Sequence, residues 1–381
     1  MKWLDAQSAC ALLGIKPASL YAYVSRGKVR ARSGDADPRA SQYSASDIEH
    51  LLARNRAGRK RDSIARGAIG WGEPILESAI TCVHSGRLIF RGWDAIGLSQ
   101  NATWEEVAAL LCNIPRFPDI VPSCVAVLEG DPKSAGLNYL ARMTATGFPT
   151  AKRSHTDLIQ DAAVLMNGFS HAMALGSAGR GAHEKLATLW GLNTQQGQIL
   201  RRALVLLADH ELNPSTFAAR IAASTGASLA ACSLAGLTTL TGPYHGEAAL
   251  MALDFLIDAH KVGPQSAVNV RLESSQNLAG FGHKLYHDGD PRAKALLDAL
   301  QPFPLLKETI SYAEASFGAQ ANIDMVLAIL TLQLNLPRSA PFTLFAVARM
   351  AGWLAHAIEQ SGTHSLIRPR ARYVGVRWKG A

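Results

Sequence analysis

Residues 217–260 read FAARIAASTGASLAACSLAGLTTLTGPYHGEAALMALDFLIDAH. The stretch is Ala-rich, spaces its apolar residues as a helix does, and shows little of the β-branched alternation of a half-buried strand. Gly242-Pro243 interrupts it, and His245 stands at the break. The same signature extends outward. GQILRRALVLLADH (197–210), DPRAKALLDAL (290–300), IDMVLAILTLQL (323–334) and TLFAVARMAGWLAHAIEQ (343–360) all read as buried helices. Upstream, Thr103 is placed to cap WEEVAALLC, with Glu106 at the capping-box position. The chain beyond residue 100 is therefore expected to be all-α.

The chain has 381 residues, 48% of them hydrophobic and 18% charged, which fits a globular protein of more than one domain and excludes intrinsic disorder. Its apolar runs, such as ALVLLA (203–208), are far shorter than the roughly 20 residues of a membrane span. MKWLDAQSAC lacks the apolar core of a secretory signal. Cys10, Cys82, Cys112, Cys124 and Cys232 are scattered and never form C-x-x-C, so neither a disulfide framework nor a Cys-rich metal site is expected, and a reducing cytoplasm is. Motifs for Rossmann cofactor binding, NTP hydrolysis, zinc proteolysis and serine hydrolysis are missing.

The net charge of +8 is unevenly placed. Residues 1–66 hold 13 Lys+Arg against 6 Asp+Glu, whereas the remaining residues hold 25 against 24. That asymmetry predicts two functional units, with residues 1–62 as a small module plus basic linker. Asp5 is a plausible N-cap for AQSACALL, Gly14 ends that helix, and ASLYAYVSRG supplies a second, closed by Gly27. KVRARSGDADPRASQY then suggests a β-wing, and Ser46 a cap for DIEHLLARN. The order of parts resembles the winged helix-turn-helix of MerR-type and excisionase-type proteins. On that reading Tyr21, Tyr23, Ser25, Arg26 and Lys28 approach a DNA groove, with Arg30, Arg32 and Arg39 on phosphate. A structural role fits equally, with Leu20, Tyr21 and Val24 as core. ARNRAGRKRDS (53–63) reads as a solvated linker.

Three histidines sit in glycine-rich or capped contexts: His210 in ADHELNPSTFAAR, His245 in TGPYHGEAAL and His283 in AGFGHKLYHDGDPRA. A His just ahead of a helix can approach a ligand closely, and the helix N-terminus disfavours its protonated form. Asp324 in ANIDMVLA, Arg292 in DPRA, Arg349 in FAVARMAGW and Arg368 in LIRPRARYVG complete the set.

Taken in order, these segments resemble the citrate synthase family from about Gly70 to Gly375. LESAITCVHSGRLIFRGWDAIGLSQNATWEEVAALL looks like the family's N-terminal strand-and-helix region, and GPYHG, GFGH, DPRA, N-I-D, AR-x-x-GW-x-AH and RPR follow in register. The resemblance implies a two-domain helical fold over residues 63–381. Its large domain would comprise 63–219 and 326–381, its small domain about 220–325, in a homodimer sharing active sites. It implies condensation of acetyl-CoA with oxaloacetate, the CoA thioester being a co-substrate and no cofactor permanently bound. A 2-methylcitrate synthase using propionyl-CoA and a metabolite-sensing DNA-binding regulator are the alternatives.

By the resemblance, Asp324 would be the general base, His245 a neutral donor to the thioester oxygen, and His283 the group that polarises the ketone. His210, Arg292 and Arg349 would hold the dicarboxylate, and Arg368 would reach in from the partner subunit. Gly280, Gly282, Lys284 and His287 would lie along CoA. Where the family usually has H-G-G-A-N, this chain has His245-Gly246-Glu247-Ala248-Ala249, which sets a carboxylate beside the thioester histidine.

Overall fold

The computed structural model describes residues 3–25, 29–33, 41–48, 76–118, 130–273, 279–286, 288–371 and 373–376. The chain divides into two compact units, Met1–Glu77 and Ser78–Ala381. The expected boundary at 62/63, the linker, Arg26, Gly27, Lys28, Arg39 and His287 lie outside the described residues.

In the first unit, β1 (Trp3–Asp5) leads into α1 (Ala6–Leu13), whose cap is the Asp5 carboxylate accepting from the Ser8 N–H. Gly14 closes α1 in the left-handed conformation at φ 65°, and α2 (Pro17–Ser25) follows. β2 (Ala31–Ser33) and β3 (Ser41–Ser44) pair antiparallel, and the sheet order is β1-β3-β2. Ala9, Leu20, Val29, Tyr43 and Ile48 form the core. Two details differ from the sequence reading. The helical turn at 45–48 is capped by Ser44, whose hydroxyl accepts from the Asp47 N–H, and not by Ser46. Tyr21 is exposed; Tyr43, from the strand, takes the aromatic place in the core instead.

The second unit opens with an antiparallel meander, β4 (Thr81–His84), β5 (Arg87–Phe90) and β6 (Trp93–Asp94). Its first strand and the residues leading into it are clasped by residues far along the chain: Glu359 accepts from the Ala79 N–H at 2.9 Å and Glu211 from the Val83 N–H at 2.6 Å. Helices follow: α3 (Ala95–Asn101), α4 (Trp104–Leu111), α5 (Pro132–Thr146), α6 (His155–Met173), α7 (Ala182–Leu189) and α8 (Thr194–Leu207). The Thr103–Glu106 capping box forms as read from the sequence. α9 (Pro214–Ser224) and α10 (Leu229–Leu240) pack on each other and on α16 (Ala340–Thr363). α11 (Ala248–Val262), α12 (Pro264–Glu273), α13 (Pro291–Leu300), α14 (Pro304–Phe317) and α15 (Ile323–Gln333) form a second group, in which α11 packs on α15 and α12 on α14.

The 24-residue α16 is the axis of this unit. Nearly every residue from Ala340 to Gln360 is buried, because α4, α6, α8, α9, α10 and α15 surround it. A helix apolar on all faces is stable in water only when enclosed in this way. Arg349 and His356 are charged or polar interruptions of that face, so each must find partners inside the protein. Among the described residues, no helix is long and apolar enough to cross a membrane.

Candidate active site

One carboxylate organises the site. Asp290 caps α13 and accepts from Arg292 three times: from its backbone N–H at 3.0 Å, its Nε at 3.0 Å and its Nη2 at 2.8 Å. The same carboxylate accepts from the Ile323 N–H at 3.1 Å, which ties the 290–292 turn to the start of α15. Asn322 adds a second tie, capping Asp324 and Met325 through Oδ1 while its Nδ2 donates to the Gly282 carbonyl at 2.9 Å. The Asn322 N–H also donates to the Gly280 carbonyl at 2.9 Å. Gly280 has φ +91°, and a Cβ there would lie 2.8 Å from Met325 and 3.0 Å from Ala252, so only glycine lets the two segments meet. The sequence motifs GFGH, DPRA and N-I-D thus converge on one place.

Around this frame stand the three histidines. His210 and His283 meet edge to face with ring centroids 5.2 Å apart, and Tyr286 touches both rings. The Tyr286 hydroxyl lies 2.9 Å from His210 Nε2. His283 Nδ1 accepts from the Leu285 N–H at 3.1 Å, so the neutral ring carries its proton on Nε2. His283 lies in the 279–290 loop rather than directly ahead of a helix, contrary to the sequence reading. Its neutrality has another cause: burial, aided by Arg292, brings its pKa down to about 4. Burial and Arg349 likewise bring His245 to about 4, and burial, Arg292, Arg349 and His283 hold His210 well below its ordinary value.

His245 packs its edge on Phe345 and places Nε2 3.0 Å from Ser215 Oγ. That hydroxyl accepts from Trp353 Nε1 at 3.1 Å. Its own proton goes to Asn213 Oδ1 at 2.8 Å, since an amide oxygen can only accept, and its remaining contact is with His245 Nε2.

Asp324 is the exceptional acid. Its Oδ1 is sealed from solvent without a hydrogen-bond partner. Burial raises its pKa to about 6, against the pull of Arg292 and Arg349 and with the push of Asp290. A carboxyl with that value is ionised near neutrality yet basic enough to take a proton. The two arginines differ. Arg292 is committed to Asp290, and that carboxylate raises its pKa despite burial. Arg349 donates Nε to the Leu207 carbonyl at 3.1 Å, stacks on Phe345 and leaves buried Nη1 without a partner; burial lowers it to about 10. A buried guanidinium with a spare donor suits a carboxylate ligand.

The structure thus brings His210, His245, His283, Arg292, Asp324 and Arg349 together. Arg368 is exposed on the single chain, as is Lys284. Glu247 forms an ion pair with Lys133 of α5, whose ammonium also lies over Phe342. The extra carboxylate beside His245 is therefore neutralised. Sequence reading missed Asp209, Ser215, Tyr286, Asp290 and Asn322 as supports; the polar residues next to His210, Arg292 and Asp324 were the signal for three of them. In the first unit Arg30 forks onto Asp47 at 2.9 Å through both Nε and Nη2, and Arg32 lies over Trp3.

Comparison with known proteins places this geometry. The family model described as "Citrate synthase, C-terminal domain" matches residues 135–370. Citrate synthase 2 of Bacillus subtilis strain 168 is 34% identical over 189 residues, 47% of this chain and 51% of that protein. The 2-methylcitrate synthase of Shewanella oneidensis is 27% identical over 378 residues, 87% of this chain and 97% of that protein. The chain spans about half the length of the B. subtilis protein and of several other curated citrate synthases that it matches. Among solved structures, citrate synthase from Thermotoga maritima superposes with a TM-score of 0.64 at 25% identity, covering 81% of this chain and 96% of that one.

Proposed function

Because the chain belongs to the citrate synthase family, we propose that it condenses acetyl-CoA with oxaloacetate and releases citrate and CoA. The observation that carries this reading is Asp324: a sealed carboxyl with a pKa near 6, beside two arginines and neutral histidines. Arg349 Nη1 and Arg292 would bind the carboxylates of oxaloacetate, and His283 Nε2–H would donate to its ketone oxygen. Asp324 would remove a proton from the thioester methyl group while neutral His245 donates to the developing enolate oxygen. Carbon then attacks the ketone, the alkoxide takes the His283 proton, and hydrolysis of citryl-CoA frees CoA. Neutral histidines suit this task, since imidazolium ions between two arginines would be a buried cost.

In this reading residues about 220–325 form the small domain, and Gly280, Gly282, Lys284 and His287 lie along CoA. Arg368, exposed on one chain, would complete the site of a partner subunit. Thiol release from acetyl-CoA, with and without oxaloacetate, tests the proposal; folded protein that releases no CoA in an oxaloacetate-dependent way refutes it. Propionyl-CoA in the same assay separates the 2-methylcitrate alternative, because one methylene shifts selectivity by about 1–3 kcal/mol.

We read the first unit as a winged helix-turn-helix module. Support comes from two helices joined at Gly14, the β2–β3 hairpin and exposed Tyr21 on α2. Tyr21, Ser25, Arg26 and Lys28 would face DNA, whereas Tyr23 is partly buried against the core of the unit and Arg30 is engaged by Asp47. Mobility shift at rising salt, with and without residues 1–62, tests this; binding unaffected by the deletion refutes it.

A further inference from the structure

Behind the site lies a buried polar chain that the proposed chemistry does not use. Asp209, directly before His210, is completely buried, and its Oδ2 lies 3.2 Å from His356 Nε2. His356 Nδ1 is 3.2 Å from Arg220 Nη1, which also donates to Glu359 at 2.7 Å, while Arg220 Nε donates to Gln360 at 3.1 Å. A guanidinium can only donate. His356 Nδ1 must therefore accept, and its Nε2 must carry the proton given to Asp209. The far side of the chain ends at the half-buried Glu359, so it is tied off electrostatically.

On the near side the Thr81 hydroxyl of β4 acts on the Asp209 carboxylate, Oδ1 has no hydrogen-bond partner within 3.5 Å, and a Cβ on Gly352, one turn along α16 from Arg349, would lie 2.3 Å from that oxygen. The Gly352 N–H donates to the Ala208 carbonyl at 3.1 Å, and Arg349 Nε to the Leu207 carbonyl. The 207–209 segment is thus stitched to the turn of α16 that carries Arg349, yet among the described residues no carboxylate comes within 4.0 Å of that guanidinium. Asp209 and Arg349 are two fully buried opposite charges that act on each other without touching.

We infer that Asp209 is a positioning residue for Arg349: its carboxylate offsets the buried guanidinium from behind and so limits how tightly the site holds anions. A direct ion pair would occupy Nη1 and close the site to a carboxylate. Without Asp209 the buried cation would keep only Asp324 as a neighbouring counter-charge and would grip an anionic product more firmly. The longer-range arrangement keeps Arg349 charged and its donor vacant. This inference rests on the oxaloacetate reading of the site.

The test is oxaloacetate and citrate affinity, measured by titration calorimetry on the full chain at fixed pH and ionic strength. Asp209→Asn keeps an acceptor for His356 but removes the charge. Its oxaloacetate Kd should fall roughly threefold to tenfold, and its citrate Kd by more, because citrate carries more charge. His356→Leu leaves the buried carboxylate without its donor, so it takes up a proton, and affinity should move the same way. His356→Gln, which keeps both a donor and an acceptor, should leave affinity unchanged. A merely structural Asp209 predicts the opposite sign, weaker binding in step with a lower Tm. Weaker or unchanged binding by folded Asp209→Asn overturns the inference; if that variant does not fold, equal affinities of the two His356 variants overturn it. Wild-type protein that binds no oxaloacetate overturns the substrate reading itself, and this inference with it.

Discussion

Arg30 and Arg292 each grip an aspartate through Nε and Nη2, at distances between 2.8 and 3.0 Å. In the first unit the Arg30 side chain is 59% exposed, whereas Arg292 and Asp290 are 3% and 0% exposed. The geometry is nearly the same, but the physics is not. At the surface, water solvates both charges whether or not they pair, and salt screens what remains. Inside, each charge has been stripped of water and depends on the other. The buried fork therefore fixes how Arg292 is held beside Arg349, whose Nη1 is a spare donor. Equal chemistry in two settings separates a replaceable contact from a machine part.

The largest expected effect tests what the buried setting is for. Asp324→Asn should lower turnover by about a thousandfold or more while leaving oxaloacetate affinity within a few-fold, since it removes only the base. A CoA-release assay with substantial surviving rate would show that the base lies elsewhere. Next, Asp290→Asn strands Arg292 without its counter-charge and should destabilise the protein by about 3–5 kcal/mol in denaturant titration. The matching change Asp47→Asn should barely move the melting curve of the chain. Comparable losses in the two variants would break the contrast between the forks.

Acidification probes the same interior. His245 and His283 have folded pKa values of about 4 against an ordinary 6.5, so the unfolded chain takes up protons first as pH falls. The stability that they contribute is complete above about 6.5 and is lost as pH drops through about 4. A Tm that stays flat over that window contradicts buried neutral histidines. Asp324, with its pKa near 6, should set the acid limb of kcat/KM at about that pH. The smallest expected effect lies between the extremes of exposure. Lys133→Met or Glu247→Gln should raise KM for the CoA thioester a few-fold, by loosening the turn that holds His245. The double charge exchange, Lys133→Glu with Glu247→Lys, should restore it; no rescue would show that the pair does not position the turn.

What the sequence made legible follows from distance along the chain. The Asp5 cap, the Gly14 stop and the Thr103–Glu106 box depend on neighbours within four residues, and they form as read. The set of histidines and arginines was visible because ordered motifs constrain one another. His283 was misplaced relative to its helix because its anchor is a loop N–H, that of Leu285, which carries no compositional signal. Ser44 displaced Ser46 as a cap because strand β3 runs straight into the helical turn. The Glu247–Lys133 pair joins residues 114 apart and the Asp209–His356 pair residues 147 apart, and no local pattern announces either.

The clasps on the opening meander have a consequence for how the protein is made. Ala79 waits for Glu359, 280 residues later, to accept its N–H. During synthesis the strands of the second unit emerge first, and their closing partner follows only 280 residues later. Until then the hairpin edge and the helices meant to surround α16 lack their axis, which is the situation in which partly folded chains aggregate or need chaperones. Truncation before Glu359 would therefore disturb the first strands of this unit as much as α16.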